Sequence, residues 1–288
     1  MKSVAIVGFG RVGTALATAL DSFGYTVRIV TRQPQVEKKV MFNQKEFAVS
    51  RLDEVVKEVD VLFITTPDGV IKEIAAQLQD MKLNIKAALH MSGSLTSEVL
   101  VPLAKQGVAL GSLHPLQSFA NVEQAIKNLP GSYFTYDGDD SLIEWAGVLV
   151  KELGGVLNIL PSAEAKVIYH AGACIVSNYL VGLLQLGVDC LTYAGFEPEQ
   201  AQEALLPLMK GTLNNVSSLP LTKALTGPIS RGDVEVVESH LKAMDRELPA
   251  VKGPYCALTP VLADIALRAG GLTEAQYNKL LEILVQVN

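Results

Sequence analysis

The first turn of the chain constrains everything after it. Val4-Ala5-Ile6-Val7 runs into Gly8-Phe9-Gly10-Arg11-Val12-Gly13, and small helix-forming residues follow through Leu20. An apolar strand entering G-x-G-x-x-G and leaving as a helix is the start of a dinucleotide-binding βαβ unit. Gly8 allows the tight turn, Gly10 lets the backbone approach a pyrophosphate, and Gly13 lets helix and strand pack closely. The helix then turns free N–H groups and its positive dipole end toward the phosphates.

The next strand, Thr26-Val27-Arg28-Ile29-Val30, ends in Thr31-Arg32-Gln33. An NAD site places Asp or Glu here for the ribose hydroxyls; an NADP site places a small polar residue and an Arg for the 2′-phosphate. Thr31 with Arg32, and no acid, favours NADP(H) over NAD(H). Further strands are expected at 47–49, 60–65 and 85–90, then at 108–113, 133–136 and 156–160, with helices between them, including 141–153. Ligands lie across the carboxyl ends of such strands, so Thr65, Thr66 and Pro67 border the cofactor. Asp68 reads as a helix N-cap. Ser92, at a strand exit, and His114, held extended by Pro115, are candidate site residues.

Beyond Pro161 only helical patterning remains. The expected architecture is therefore a doubly wound, mostly parallel α/β Rossmann domain over 1–160 and an all-helical substrate and dimerisation domain over 161–288. Ser162 caps a helix expected to reach about Tyr193, carrying Lys166, His170, Ser177, Asn178 and Gln185 within an arc of roughly 120°. A seam of one Lys followed by His, Ser, Asn and Gln suits a cleft wall better than a solvated face. Lys166 faces the positive end of the helix dipole, which pushes its pKa down; a lysine placed against its electrostatic interest is a candidate for proton transfer or for holding an anionic substrate. A second helix is expected over 197–213, breaking near Pro207. Three more are expected over 233–248, 255–269 and 273–287. Asp233 reads as a cap, and Arg231, in a loop dense in Gly and Pro, as a clamp for a substrate carboxylate or cofactor phosphate.

A net charge of −6 with no basic run excludes nucleic-acid and anionic-membrane partners. Three cysteines without a C-x-x-C pair suit reduced thiols in a cytoplasm. Residues 167–191 approach the length of a membrane span, but Ser177, Asn178, Gln185 and Asp189 interrupt them. A buried helix or a homodimer interface is the more economical reading.

Several stretches together resemble a known bacterial family. They are Gly8-Phe9-Gly10, Thr65-Thr66-Pro67-Asp68, His90-Met91-Ser92-Gly93 and Ser112-Leu113-His114-Pro115-Leu116-Gln117-Ser118-Phe119. Tyr169-His170-Ala171 with Asn178, and 225–233 around Thr226-Gly227-Pro228, complete the set. In that family a Rossmann-like half joins a helical half of uncharacterised function. It is similar in turn to the oxidoreductases with a 6-phosphogluconate-dehydrogenase-like helical domain: β-hydroxyacid dehydrogenases, ketopantoate reductase, pyrroline-5-carboxylate reductase and prephenate dehydrogenase.

The resemblance implies roles. Hydroxyacid dehydrogenases carry a catalytic lysine at the start of the first long helix of the second domain, with an Asn one turn later. Lys166 matches the lysine, and His170 stands where the Asn is expected. The His114-Pro115 pair resembles that of prephenate dehydrogenases, whose histidine contacts the substrate hydroxyl. The expectation is an NADP(H)-dependent oxidoreductase of a small carboxylate-bearing carbonyl, imine or hydroxyl compound. Lys166, His170, His114 and Ser92 would serve the chemistry, and Asn178 and Arg231 the substrate. The rivals are a non-catalytic NADP(H) sensor and a deazaflavin:NADP oxidoreductase.

Overall fold

The computed structural model describes residues 1–31 and 39–286. They separate into two compact units, Met1–Ser177 and Asn178–Asn288. The expected boundary at 160 thus moves past one helix, which packs with the first unit.

The first unit contains β1 (Ser3–Val7), α1 (Arg11–Ser22), β2 (Thr26–Val30), β3 (Lys39–Phe42), β4 (Lys45–Val49), α2 (Leu52–Val55), β5 (Val61–Ile64), α3 (Asp68–Gln79) and β6 (Ala87–His90). After a 3-10 segment, Ser97–Gln106, come β7 (Ala109–Pro115), α4 (Val122–Asn128), β8 (Tyr133–Gly138), α5 (Ile143–Glu152), β9 (Val156–Ile159) and α6 (Ala163–Val176). The strands form one sheet in the order β3-β4-β2-β1-β5-β6-β7-β8-β9. It is parallel except at β3–β4 and β7–β8.

In the central strands β1, β5 and β6 every residue but Ser3 is buried, as expected of strands covered on both faces. Their side chains alternate between two cores. Val4, Ile6, Phe63 and Leu89 meet Leu16 and Leu20 of α1 and Leu149 of α5, while Ala5, Leu62 and Ile64 meet Ile71 and Leu78 of α3.

Three local expectations are corrected. The stretch before 47–49 forms a β3–β4 hairpin, turned by Asn43 and Gln44 at φ 45° and 65°. Pro67, not Asp68, is the N-cap of α3; the helix begins at Asp68, whose carboxylate accepts the Ser94 hydroxyl at 2.6 Å. The long helix is interrupted at Ser177, whose φ of −107° and ψ of −67° leave the helical values. Ser162 does cap α6, accepting the Ala165 N–H at 3.1 Å.

The second unit is helical: α7 (Asn178–Tyr193), α8 (Pro198–Ser218), α9 (Leu221–Ala224), α10 (Pro228–Arg231), α11 (Val234–Glu247), α12 (Pro249–Arg268) and α13 (Glu274–Gln286). Val237, Leu241, Ala263, Leu280 and Ile283 form its core. α8 runs through Pro207 without breaking, and α7 packs against it. The Gly- and Pro-dense loop is the single turn α10, entered at Gly227 with φ 93° and left at Gly232 with φ 72°, so much of its composition is demanded by backbone geometry.

The 163–193 stretch is long and apolar enough, by length and composition, to cross a membrane. The buried-helix reading of it is corrected: only Lys166 and Val188 of this stretch are buried, and Lys166 and Tyr169 hold α6 to the first unit.

Candidate active site

The ends of β1, β2, β4 and β5 open onto a groove of about 880 Å³ lined by Gly8, Phe9, Gly10, Thr31, Thr65, Thr66 and Pro67, all expected cofactor contacts. Gly8 sits at φ 102°, and a Cβ there would lie 3.1 Å from the Thr66 methyl. A Cβ on Gly13 would collide with the Gly8 carbonyl, whereas one on Gly10 would meet nothing within 4 Å. Only the middle glycine faces free space, as a backbone that must admit a pyrophosphate requires. Arg11, Val12 and Gly13 begin α1, which has no side-chain cap and no acid in its first turn. Its leading N–H groups therefore remain available to an anion.

Thr65 is structural in part, donating its hydroxyl to the Gly8 carbonyl at 2.7 Å. The Thr66 hydroxyl is buried without a partner among the described residues, a vacant handle on the groove. These features fit a dinucleotide. Arg32, expected to read the 2′-phosphate, lies outside the described residues. Sequence reasoning missed Arg51, which lines the same groove and shares Asp53 at 3.0 and 3.4 Å.

Replacing Gly10 by Ala should therefore leave unfolding free energy within about 1 kcal/mol of wild type while weakening nicotinamide-dinucleotide binding roughly tenfold or more. Calorimetric titration checks it, and unchanged affinity would place the pyrophosphate elsewhere.

One strand further, the turn after β6 carries the second half of the site. Ile64 and His90 are register partners, and the Ser94–Asp68 hydrogen bond ties this turn to the start of α3. Ser92 accepts the N–H groups of Ser94 and Leu95 at 3.1 and 3.0 Å, so its hydroxyl shapes the turn. His90 is fully buried, accepts the Ser92 N–H at Nδ1 and donates from Nε2 to the Thr96 carbonyl at 3.0 Å.

Against the turn stand two imidazoles, His114 from the end of β7 and His170 from α6, with ring centroids 6.1 Å apart. A Cβ on Gly93 would lie 2.6 Å from His170 Nδ1 and 2.8 Å from His114 Nε2. His114 Nδ1 is 2.8 Å from the Tyr169 hydroxyl, and His170 Nε2 is 3.7 Å from Cys174 Sγ. His170 Nδ1 is buried without a partner among the described residues.

Lys166 is 1% exposed, and its ammonium donates to the Asp137 carboxylate and the Ser112 hydroxyl. Burial pulls its pKa down, and Asp137 acts in the opposite direction. The downward direction matches expectation, but its main cause is desolvation. These two bonds fasten α6 to β7 and β8. Asn178 is exposed at the start of α7; Asp233 is the N-cap residue of α11, as expected, with its carboxylate on Arg231 at 2.9 Å rather than on a backbone N–H.

Tyr169 and Cys174 stand three and eight residues after Lys166, a spacing that could have revealed them on the same helix face. Asp137, Ser112 and Gly93 carry no such local signal.

Burial depresses the pKa of both His90 and His114 to about 4. Their unfolded values lie near 6.5, so between these limits the unfolded chain binds more protons. Stability should therefore be intact above about 6.5 and be lost as pH falls toward 4. Urea unfolding at pH 7 and pH 5 should differ by roughly 3 kcal/mol from this source. A flat profile would refute the buried neutral imidazoles.

Comparison with known proteins defines the class. Residues 1–115 match a Rossmann-like domain, and residues 132–260 match a domain of unknown function, DUF2520. The chain thus joins a dinucleotide-binding fold to a DUF2520 domain, as the sequence resemblance implied. More particularly, protein TM1727 from Thermotoga maritima is 26% identical, with a TM-score of 0.72 over 92% of this chain and 98% of that one. A pyrroline-5-carboxylate reductase from Coxiella burnetii shares the fold at 12% identity and a TM-score of 0.57, over 92% of this chain and 97% of that one. A ketol-acid reductoisomerase (NADP(+)) of Renibacterium salmoninarum is 25% identical over 221 residues, 73% of this chain. The match spans 63% of that curated relative's length.

Proposed function

We propose that this chain is an NADP(H)-dependent oxidoreductase acting on a small carboxylate-bearing carbonyl, imine or hydroxyl compound. The observation that carries the reading is the adjacency, within one unit, of the glycine-lined groove and the paired imidazoles of His114 and His170. When bound, the nicotinamide supplies or accepts hydride. The chain's own residues would hold the dinucleotide through the Gly8–Gly13 turn, the start of α1 and the free Thr66 hydroxyl.

His114 Nε2, with Nδ1 on Tyr169, is placed to hold or hand on the proton at the substrate heteroatom. His170 shares that position. Lys166 and Asp137 position α6, and Ser92 shapes the turn beneath. The NADP preference rests on Thr31, Arg32 and the additional cation Arg51, whose exposed pairing with Asp53 a 2′-phosphate can replace.

Self-association through α6 and α7 is part of the proposal, because Ile168 and Val176 are both 72% exposed and Val181 is 70% exposed. So is a cytoplasmic location.

The test is turnover of a panel of 2-oxo acids, hydroxy acids and cyclic imines, together with NADPH and NADH affinities. Arg51→Gln should weaken NADPH binding about fivefold or more and leave NADH binding unchanged. Tight dinucleotide binding with no turnover of any panel member would replace the enzyme by a sensor. Failure to bind either dinucleotide would sink both readings.

A further inference from the structure

Next to Gly93 two ring nitrogens, His114 Nε2 and His170 Nδ1, face one small space, and neither has a protein partner among the described residues. Which of them carries hydrogen is set by what holds the other nitrogen of its ring. A Tyr169 hydroxyl donating to His114 Nδ1 at 2.8 Å leaves the hydrogen on Nε2. A Cys174 thiol donating its S–H to His170 Nε2, 3.7 Å away, leaves the hydrogen of that ring on Nδ1.

We infer that Tyr169 and Cys174 set the two histidines as a pair of N–H donors aimed at one substrate oxygen, so that the site takes carbonyl compounds and their alcohols rather than imines. The inference rests on the oxidoreductase reading and narrows its substrate class.

A carbonyl oxygen offers two lone pairs, and both hydrogen bonds strengthen as it gains negative charge during reduction. An imine nitrogen offers one lone pair, and in its reactive protonated form it would point an N–H at two other N–H groups. Discrimination by unpaired buried polar groups is steep. The orphaned His170 Nδ1 is then explained: it gains a partner when the substrate oxygen enters. Burial also keeps His114 uncharged at neutral pH, so the donor pattern is that of a neutral tautomer.

The test combines NMR of isotope-labelled imidazole nitrogens in the full chain with kinetics. At neutral pH, His114 should carry hydrogen on Nε2 and His170 on Nδ1. Tyr169→Phe should release the His114 tautomer preference and lower kcat/KM for 2-oxo acids about tenfold to a hundredfold, with dinucleotide affinity unchanged. A purely structural role for Tyr169 would move neither the tautomer nor kcat alone.

The opposite tautomer at either ring would overturn the inference. So would faster turnover of 1-pyrroline-2-carboxylate than of the 2-oxo acids. The expected tautomers with no turnover of any probe would support the donor pair and refute the oxidoreductase reading instead.

Discussion

His114→Ala is expected to fold, to bind NADPH within about threefold of wild type, and to lose roughly 10²- to 10⁴-fold in kcat. The imidazole stands at the end of β7, and its Nδ1 takes the Tyr169 hydroxyl. It does not belong to the groove where Gly8, Gly10 and Thr66 lie. In the proposed reaction, removing it would delete the group set to face the substrate heteroatom and spare the dinucleotide contacts. Stopped-flow kinetics and fluorescence titration separate the two effects. Wild-type turnover in this variant would remove His114 from the chemistry; a matching loss of affinity would show that it holds the cofactor.

Lys166→Met is the second large effect, and it should appear first in stability. The ammonium is buried with the Asp137 carboxylate, whose second oxygen accepts the Ser97 N–H at 2.6 Å. Removing one partner of a buried pair strands the other, at about 3–5 kcal/mol. For a chain of this size that lowers the melting temperature by roughly 10 °C. The double variant Lys166→Met, Asp137→Leu should recover most of the loss, because two apolar groups leave no unpaired charge. Differential scanning calorimetry of the three proteins decides. If the single variant keeps its melting temperature and loses turnover completely, the amine acts on substrate after all, as the hydroxyacid-dehydrogenase resemblance suggested.

The legible parts of this chain were those with short-range signatures. The Gly8-x-Gly10-x-x-Gly13 turn, the apolar runs of β1, β5 and β6, and the Ser162 cap all depend on residues within a few positions of one another. The misread parts depend on distant partners. The Asp68 carboxylate went to Ser94, 26 residues away. Pro207 left α8 unbroken, with α7 packed against that helix. Lys166 showed as a polar residue on an apolar helix, but nothing near it announced Asp137, 29 residues away.

The sequence alone determined the βαβ start and the change from alternating strands and helices to helices only, and it marked candidate polar residues, because periodicity and backbone sterics act locally. Only the tertiary structure decided which of those residues stand together. It placed His114 and His170 over Gly93 and withdrew the Lys166 ammonium into an ion pair. The physical reason is that burial and pairing arise from chain segments brought close by the sheet, and no local pattern records who the neighbours will be.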